Sequence, residues 1–112
     1  MAEKRGLGRQ RKRLPVRLGT EGVMRMGVTE NISEGGLFIR TTSIHRLKTE
    51  LDIELTTPDN GVIVLQGTVT WVRRAQPAKV RHGNAGGMGI KIVRFLAGEE
   101  AYRVLYQPRR FD

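Results

Sequence analysis

A two-residue hydrophobic period recurs along most of this chain and gives way to a helical period only once, near the end. Leu51, Ile53 and Leu55 alternate strictly with Asp52 and Glu54, the mark of a strand with one dry face and one wet face. Leu14, Val16 and Leu18 repeat the pattern. So do Met24, Met26 and Val28, across a connection around residues 19–22, which predicts two half-buried strands whose apolar triplets face inward. Residues 37–41, the long run 62–72 and the alternating Met88, Ile90 and Ile92 supply three more extended segments. Pro58-Asp59-Asn60-Gly61 reads as a turn, because proline presets φ and Asn-Gly tolerates positive φ, so the segments on either side are predicted to form a hairpin. Short connections make the pairing mostly antiparallel. Ala101, Val104 and Leu105 then form an i, i+3, i+4 stripe, with Glu99 and Glu100 where a helix dipole favours acids. Closing six short strands on themselves removes their edges. The predicted fold is mainly β: a small six-stranded antiparallel barrel with a short C-terminal helix.

At 112 residues the chain has room for one core. Cysteine is absent, which removes disulfides, thiolate nucleophiles and sulfur-ligated metals. His45 and His82 fall in connecting segments without metal-ligand spacing, and no carboxylate joins a recognisable nucleophile and base. Gly86, Gly87 and Gly89 lack the Gly-Lys-Ser/Thr ending of a phosphate-cradling loop. No catalytic residue and no metal site is expected, so the reading is not that of an enzyme. No apolar stretch approaches the roughly 18 residues of a membrane span, and the basic start is not followed by the apolar region of a secretion signal; the expectation is a cytoplasmic protein without membrane insertion.

The net charge of +9 is unevenly placed. Residues 1–18 carry seven basic groups against Glu3, whereas the remainder carries 13 basic and 10 acidic groups. Residues 1–12 are therefore read as a basic arm, mobile until something binds, ahead of a single domain over 13–112. Such an arm attracts an anion: a phosphodiester ligand, nucleic acid or an acidic lipid surface.

Two short patterns flank the first two strands. Arg9-Gln10-Arg11-Lys12-Arg13 is an Arg-x-x-x-Arg directly before Leu14, and Asn31-Ile32-Ser33-Glu34-Gly35-Gly36 is an Asn-x-Ser-x-x-Gly in the turn after the second strand. Singly, each has a plain structural reading, as a solvated charge run and as a turn that bonds its own backbone. In this order, around this strand pattern, the chain resembles the PilZ domain family, whose members pair the two motifs. The resemblance spans roughly residues 9–106 and takes in Gly87-Met88-Gly89-Ile90 and the helix that follows. It implies cyclic di-GMP as ligand, no catalytic cofactor, and an effector protein to receive the signal. It also implies that the arm folds over the ligand, with Arg9 and Arg13 clamping one side and Asn31, Ser33 and Gly36 holding the other.

The residue chemistry suits that ligand, which has two phosphodiesters and two guanines. The planar guanidinium bonds a phosphate or the O6/N7 edge of guanine bidentately and stacks on a base. Asn31 offers an amide oxygen to guanine N–H groups, and Ser33 offers a rotating hydroxyl. Gly36, with no Cβ, is free to take positive φ and to let the backbone approach the ligand; Gly35 adds freedom. Arg5 and Arg9 form a second Arg-x-x-x-Arg, which makes Arg5 an accessory candidate. Trp71 and Arg73, two apart on one strand, share a face and would line one pocket wall, although a lone tryptophan in a strand also reads as core. Two rival readings stand beside the receptor. One is a basic barrel that binds nucleic acid through the arm, against which the 5% aromatic content argues by offering few stacking platforms. The other is a PilZ-like interaction module that does not bind nucleotide, which would be expected where the motifs are eroded; here both are intact.

Overall fold

The computed structural model describes residues 9–75 and 86–107. Six long strands form the wall: β2 (Pro15–Thr20), β3 (Val23–Ser33), β4 (Gly36–Arg40), β5 (Glu50–Thr56), β6 (Val62–Arg73) and β7 (Gly87–Ala97). A two-residue strand, β1 (Arg9–Gln10), precedes them, and a helix, α1 (Glu99–Tyr106), follows. The long strands run in the order β3-β2-β5-β6-β7-β4, and β4 pairs back to β3, so the six-stranded antiparallel sheet closes as expected. Closure leaves no long ladder unpaired. Inside, Val16, Leu18, Leu51, Ile53, Leu55, Ile63, Leu65, Val69, Met88 and Ile90 meet with Ile32, Leu37, Ile39 and Tyr102 in one buried cluster.

The two hairpins that the sequence marks form with the chemistry it suggests. Glu21 and Gly22 both have positive φ, 52° and 82°, and join Thr20 to its partner Val23 in a two-residue turn that follows the twist of the strands. Asn60, at φ 70°, closes the turn between β5 and β6, where Thr56 opposes Val62. There the Thr57 hydroxyl bonds Asp59, and with the Gly61 N–H it holds the Asp59 carboxyl below its usual pKa.

One strand departs from expectation. Met24, Met26 and Val28 face outward, Met26 with 70% of its surface exposed, while Gly27 and Thr29 take the inward positions. The space inside Gly27 is already filled: a Cβ there would lie 2.9 Å from both the Ile39 side chain and the Arg40 carbonyl oxygen, and 3.3 Å from Leu18. Neighbouring strands supply the volume that the methionines were expected to supply.

Bulges reverse the facing of β3 and β6 partway along, and β7 carries two more, at Val93 and Leu96. In β3, Thr29 opposes Ile39 and Asn31 opposes Phe38, so Glu30 is an extra residue. Because side chains alternate at period two, one extra residue switches which face the rest of the strand presents. Even-numbered residues point outward before it; Asn31 and Ser33 share the outward side after it. Thr70 does the same in β6, between the pairs Val69–Ile90 and Trp71–Gly89. Val69 points into the core and Trp71 outward.

At the barrel's end, α1 starts from Gly98 at φ 82° with Glu99 and Glu100 in its first turn. Its buried side chain is Tyr102, with Leu105 and Tyr106 packed partly against the core. The expected stripe of Ala101, Val104 and Leu105 is thus displaced: Val104 is 68% exposed. A tyrosine wins the inward place because its ring packs on Phe95, centroids 5.2 Å apart, while its hydroxyl reaches carbonyl groups at the barrel rim.

Candidate ligand-binding site

The outer wall over β4, β7 and β6 is built on glycine. Phe38 of β4 opposes Gly89 of β7, and Gly89 opposes Trp71 of β6. A Cβ on Gly89 would sit 2.0 Å from the Trp71 Nε1, and one on Gly87 2.6 Å from the Phe38 ring. With no side chains rising from β7 here, the two aromatic rings close over it and stack, centroids 4.9 Å apart at 29°. The Arg73 guanidinium carbon lies 4.4 Å above the Phe38 ring, and its Nη2 bonds the Glu30 carboxylate at 2.9 Å. Arg73 therefore reaches across β7 and β4 to the bulge of β3, and both partners of the ion pair are only about a third exposed.

Trp71, half exposed, forms one side of a groove of about 230 Å³ whose lining includes Ser33, Gly36, Phe38, Thr70 and Lys91. The groove joins the turn of the second motif to the aromatic pair. Within the turn, the Ser33 hydroxyl donates to the Gly36 carbonyl at 3.2 Å, which leaves its lone pairs to accept from elsewhere. The Tyr102 hydroxyl donates to the Ser33 carbonyl at 2.6 Å and lies 3.1 Å from that of Gly36. The helix thus pins the turn from beneath.

The backbone of Gly36 departs from expectation. It does not take positive φ; what forbids a side chain is the sheet, since a Cβ there would lie 2.4 Å from the Ile90 carbonyl oxygen. Gly35 has nothing within 4 Å of the place a Cβ would take, so no close approach requires glycine there.

The first motif runs antiparallel beside the second. Arg9 opposes Ser33 and Gln10 opposes Ile32 along β3; the Arg9 side chain, residues 1–8 with Arg5, and His82 lie outside the described residues. Between β1 and β2 the chain is tied by Thr29, whose buried hydroxyl donates to the Lys12 carbonyl at 2.6 Å and accepts from the Leu14 N–H at 2.8 Å. Arg13 is consequently held beside β3 but away from the groove: it lines a separate cavity of about 350 Å³ with Val28, Arg40, Thr41 and Thr42. The structure thus gathers Asn31, Ser33, Gly36, Trp71 and Arg73 on one wall, brings the Arg9 backbone to its edge, and sets Arg13 to one side.

Phe38, Glu30, Arg40 and Tyr102 are the residues sequence reasoning missed. The pair of strand glycines in Gly87-Met88-Gly89 is the signal that points to Phe38, since bare positions in a strand mark where a neighbour's large side chain lies across it. Among the described residues, no three of His, Asp and Glu gather to hold a metal ion, and no helix is long and apolar enough to cross a membrane.

A closed antiparallel barrel whose outer wall carries a polar and aromatic groove beside β1 and α1 defines the class as a small closed β-barrel with a candidate ligand groove. Comparison narrows the class to a family. The PilZ domain model matches residues 3–105, and the chain belongs to the PilZ domain family, whose members are in general cyclic di-GMP receptors that act with partners. Among solved structures, the Bacillus subtilis inhibitor of motility (MotI/DgrA) is similar over 88% of this chain and 47% of that one, with 17% identity and a TM-score of 0.70. This chain spans about half the length of that protein. The PilZ domain of CeSA from a cellulose-synthesizing bacterium is similar over 88% of this chain and 93% of that one, with 22% identity and a TM-score of 0.59. At such identities the likeness is one of fold. No curated protein matches the chain.

Proposed function

We propose that this chain is a cytoplasmic cyclic di-GMP receptor that catalyses nothing and passes the signal to an effector protein. The observation that carries the reading is the groove in which Ser33 and Gly36 of the second motif meet Trp71 and Phe38, with the Arg9 backbone aligned against Ser33. A guanine edge needs acceptors for its N1–H and N2–H and donors for O6 and N7; the Asn31 amide and the Ser33 lone pairs supply the former, and a guanidinium fork the latter. The exposed face of Trp71 offers a flat apolar surface on which a base stacks. Arg9 and Arg13 close on the ligand from the N-terminal side, with Arg5 an accessory, and the N-terminal arm becomes ordered on binding.

Calorimetry on the intact chain tests this. Cyclic di-GMP is expected to bind at micromolar concentration or tighter and to survive moderate salt, and Arg9→Ala with Arg13→Ala to abolish the heat. Equal affinity for the double variant removes the clamp from the reading. Steeply salt-dependent binding of DNA or RNA with no heat from cyclic di-GMP replaces the receptor with a nucleic-acid-binding barrel. Amide exchange over residues 1–13 is expected to slow in the nucleotide's presence.

A further inference from the structure

Arg40 belongs to neither motif, yet its surroundings leave one of its donors unmatched. Its backbone is fixed between Val28 of β3 and Gly87 of β7. Two residues beyond Phe38, it shares the outward face of β4. Its Nε–H is buried and meets no acceptor, and no carboxylate pairs with it among the described residues. A buried donor left unmatched is costly. Arg13 opens onto the same cavity of about 350 Å³, together with Val28, Thr41 and Thr42, and it too lacks an ion pair among the described residues. None of the five lining residues is acidic. Glu30, the carboxylate closest along β3, is engaged by Arg73. Two cations line one cavity with no carboxylate between them among the described residues, an arrangement that favours an anion there.

We propose that Arg13 and Arg40 form a phosphate subsite, in which the Arg40 side chain turns on binding to bring its covered Nε–H and a terminal N–H as a fork to the two non-bridging oxygens of a phosphodiester. Arg13 adds a second cation, and the Thr42 hydroxyl lies at the rim. The Thr41 hydroxyl is already committed to the Met26 carbonyl. Gly36 and Arg40 are the two ends of β4, about 13 Å apart at the usual rise per residue, with Phe38 midway. One strand thus presents a base-reading end and a phosphate-holding end. The identity of the anion as a phosphodiester of cyclic di-GMP rests on the function proposed above; the subsite itself rests on Arg40.

The test uses the intact, isotope-labelled chain and follows the Arg40 Nε–H resonance while cyclic di-GMP or, separately, inorganic phosphate is added. The resonance is expected to move with both, and more with the dinucleotide. In calorimetry Arg40→Ala is expected to weaken cyclic di-GMP binding about tenfold or more, the loss of a hydrogen bond to a charged group. Arg40→Lys recovers little of this, because an ammonium lacks the fork. If the unaltered chain takes up no cyclic di-GMP but phosphate moves the resonance, the subsite stands and the receptor reading fails. If cyclic di-GMP binds while the resonance stays in place and Arg40→Ala binds as the parent does, the subsite fails and the receptor reading stands. A resonance that responds to neither anion overturns the subsite whatever the variants do.

Discussion

The barrel has two kinds of outer wall. Over β2, β5 and β6 the outward side chains satisfy one another: Arg17 pairs with Glu54 at 3.1 Å, and Gln66 bridges Asp52 at 2.9 Å to Arg94 at 2.7 Å. Over β4 and the start of β7 the outward side chains are aromatic rings closed over glycines, and the cations Arg13 and Arg40 are left without a counter-charge among the described residues. The first wall is complete as it stands. The second has donors and stacking surface to spare, which is what a wall needs if it is to hold something else.

Substitutions that separate the walls sharpen the contrast. The largest stability effect belongs to the core behind the completed wall: Ile53→Ala is expected to lower unfolding free energy by about 2–5 kcal/mol in a urea titration, with cyclic di-GMP affinity of the folded protein unchanged. A parallel loss of affinity would mean that the two walls are not independent. Gly89→Ala follows, at about 1–3 kcal/mol, because its methyl group displaces the Trp71 indole from Phe38. Since Trp71 is the sole tryptophan, its emission reports the move directly; an unchanged spectrum breaks the account of the glycine row. Tyr102→Phe is expected to cost about 0.5–1.5 kcal/mol, the value of one hydrogen bond, and to weaken ligand binding as the 31–36 turn loosens. Binding that is untouched while stability falls would confine the tyrosine to packing. Smallest is Arg17→Ala on the completed wall. Its exposed ion pair is worth under about 1 kcal/mol, and calorimetry with the nucleotide should register no change.

The same contrast decides what was legible in the sequence. Leu51, Ile53 and Leu55 alternate with acids because their strand is dry on one side and wet on the other, and the pattern can be read residue by residue. Residues 37–39 are buried on both sides, by the core and by the aromatic cover, so their apolar run carries no period, and Phe38 was invisible as a surface residue. The motif residues Asn31, Ser33, Trp71 and Arg73 were found through their types and spacing, and their common wall was not. Bulges are set by register with a neighbouring strand, which a single strand's sequence does not encode. The reversed facing of Met24, Met26 and Val28 has a similar origin, since what fills the space inside Gly27 comes from Leu18 and Ile39. Arg40 gave no signal because its meaning lies in the partner it lacks.

The extra residue at Glu30 has an evolutionary reading. Deleting its codon would keep Thr29 opposite Ile39 and Asn31 opposite Phe38, so that Asn31 and Ser33 would still face outward, and what would go is the carboxylate that Arg73 bonds. A lineage can therefore gain or shed that acid by a frame-preserving change while the motif beyond it keeps its orientation, so that the insertion is inherited for its charge and not for the facing of its neighbours.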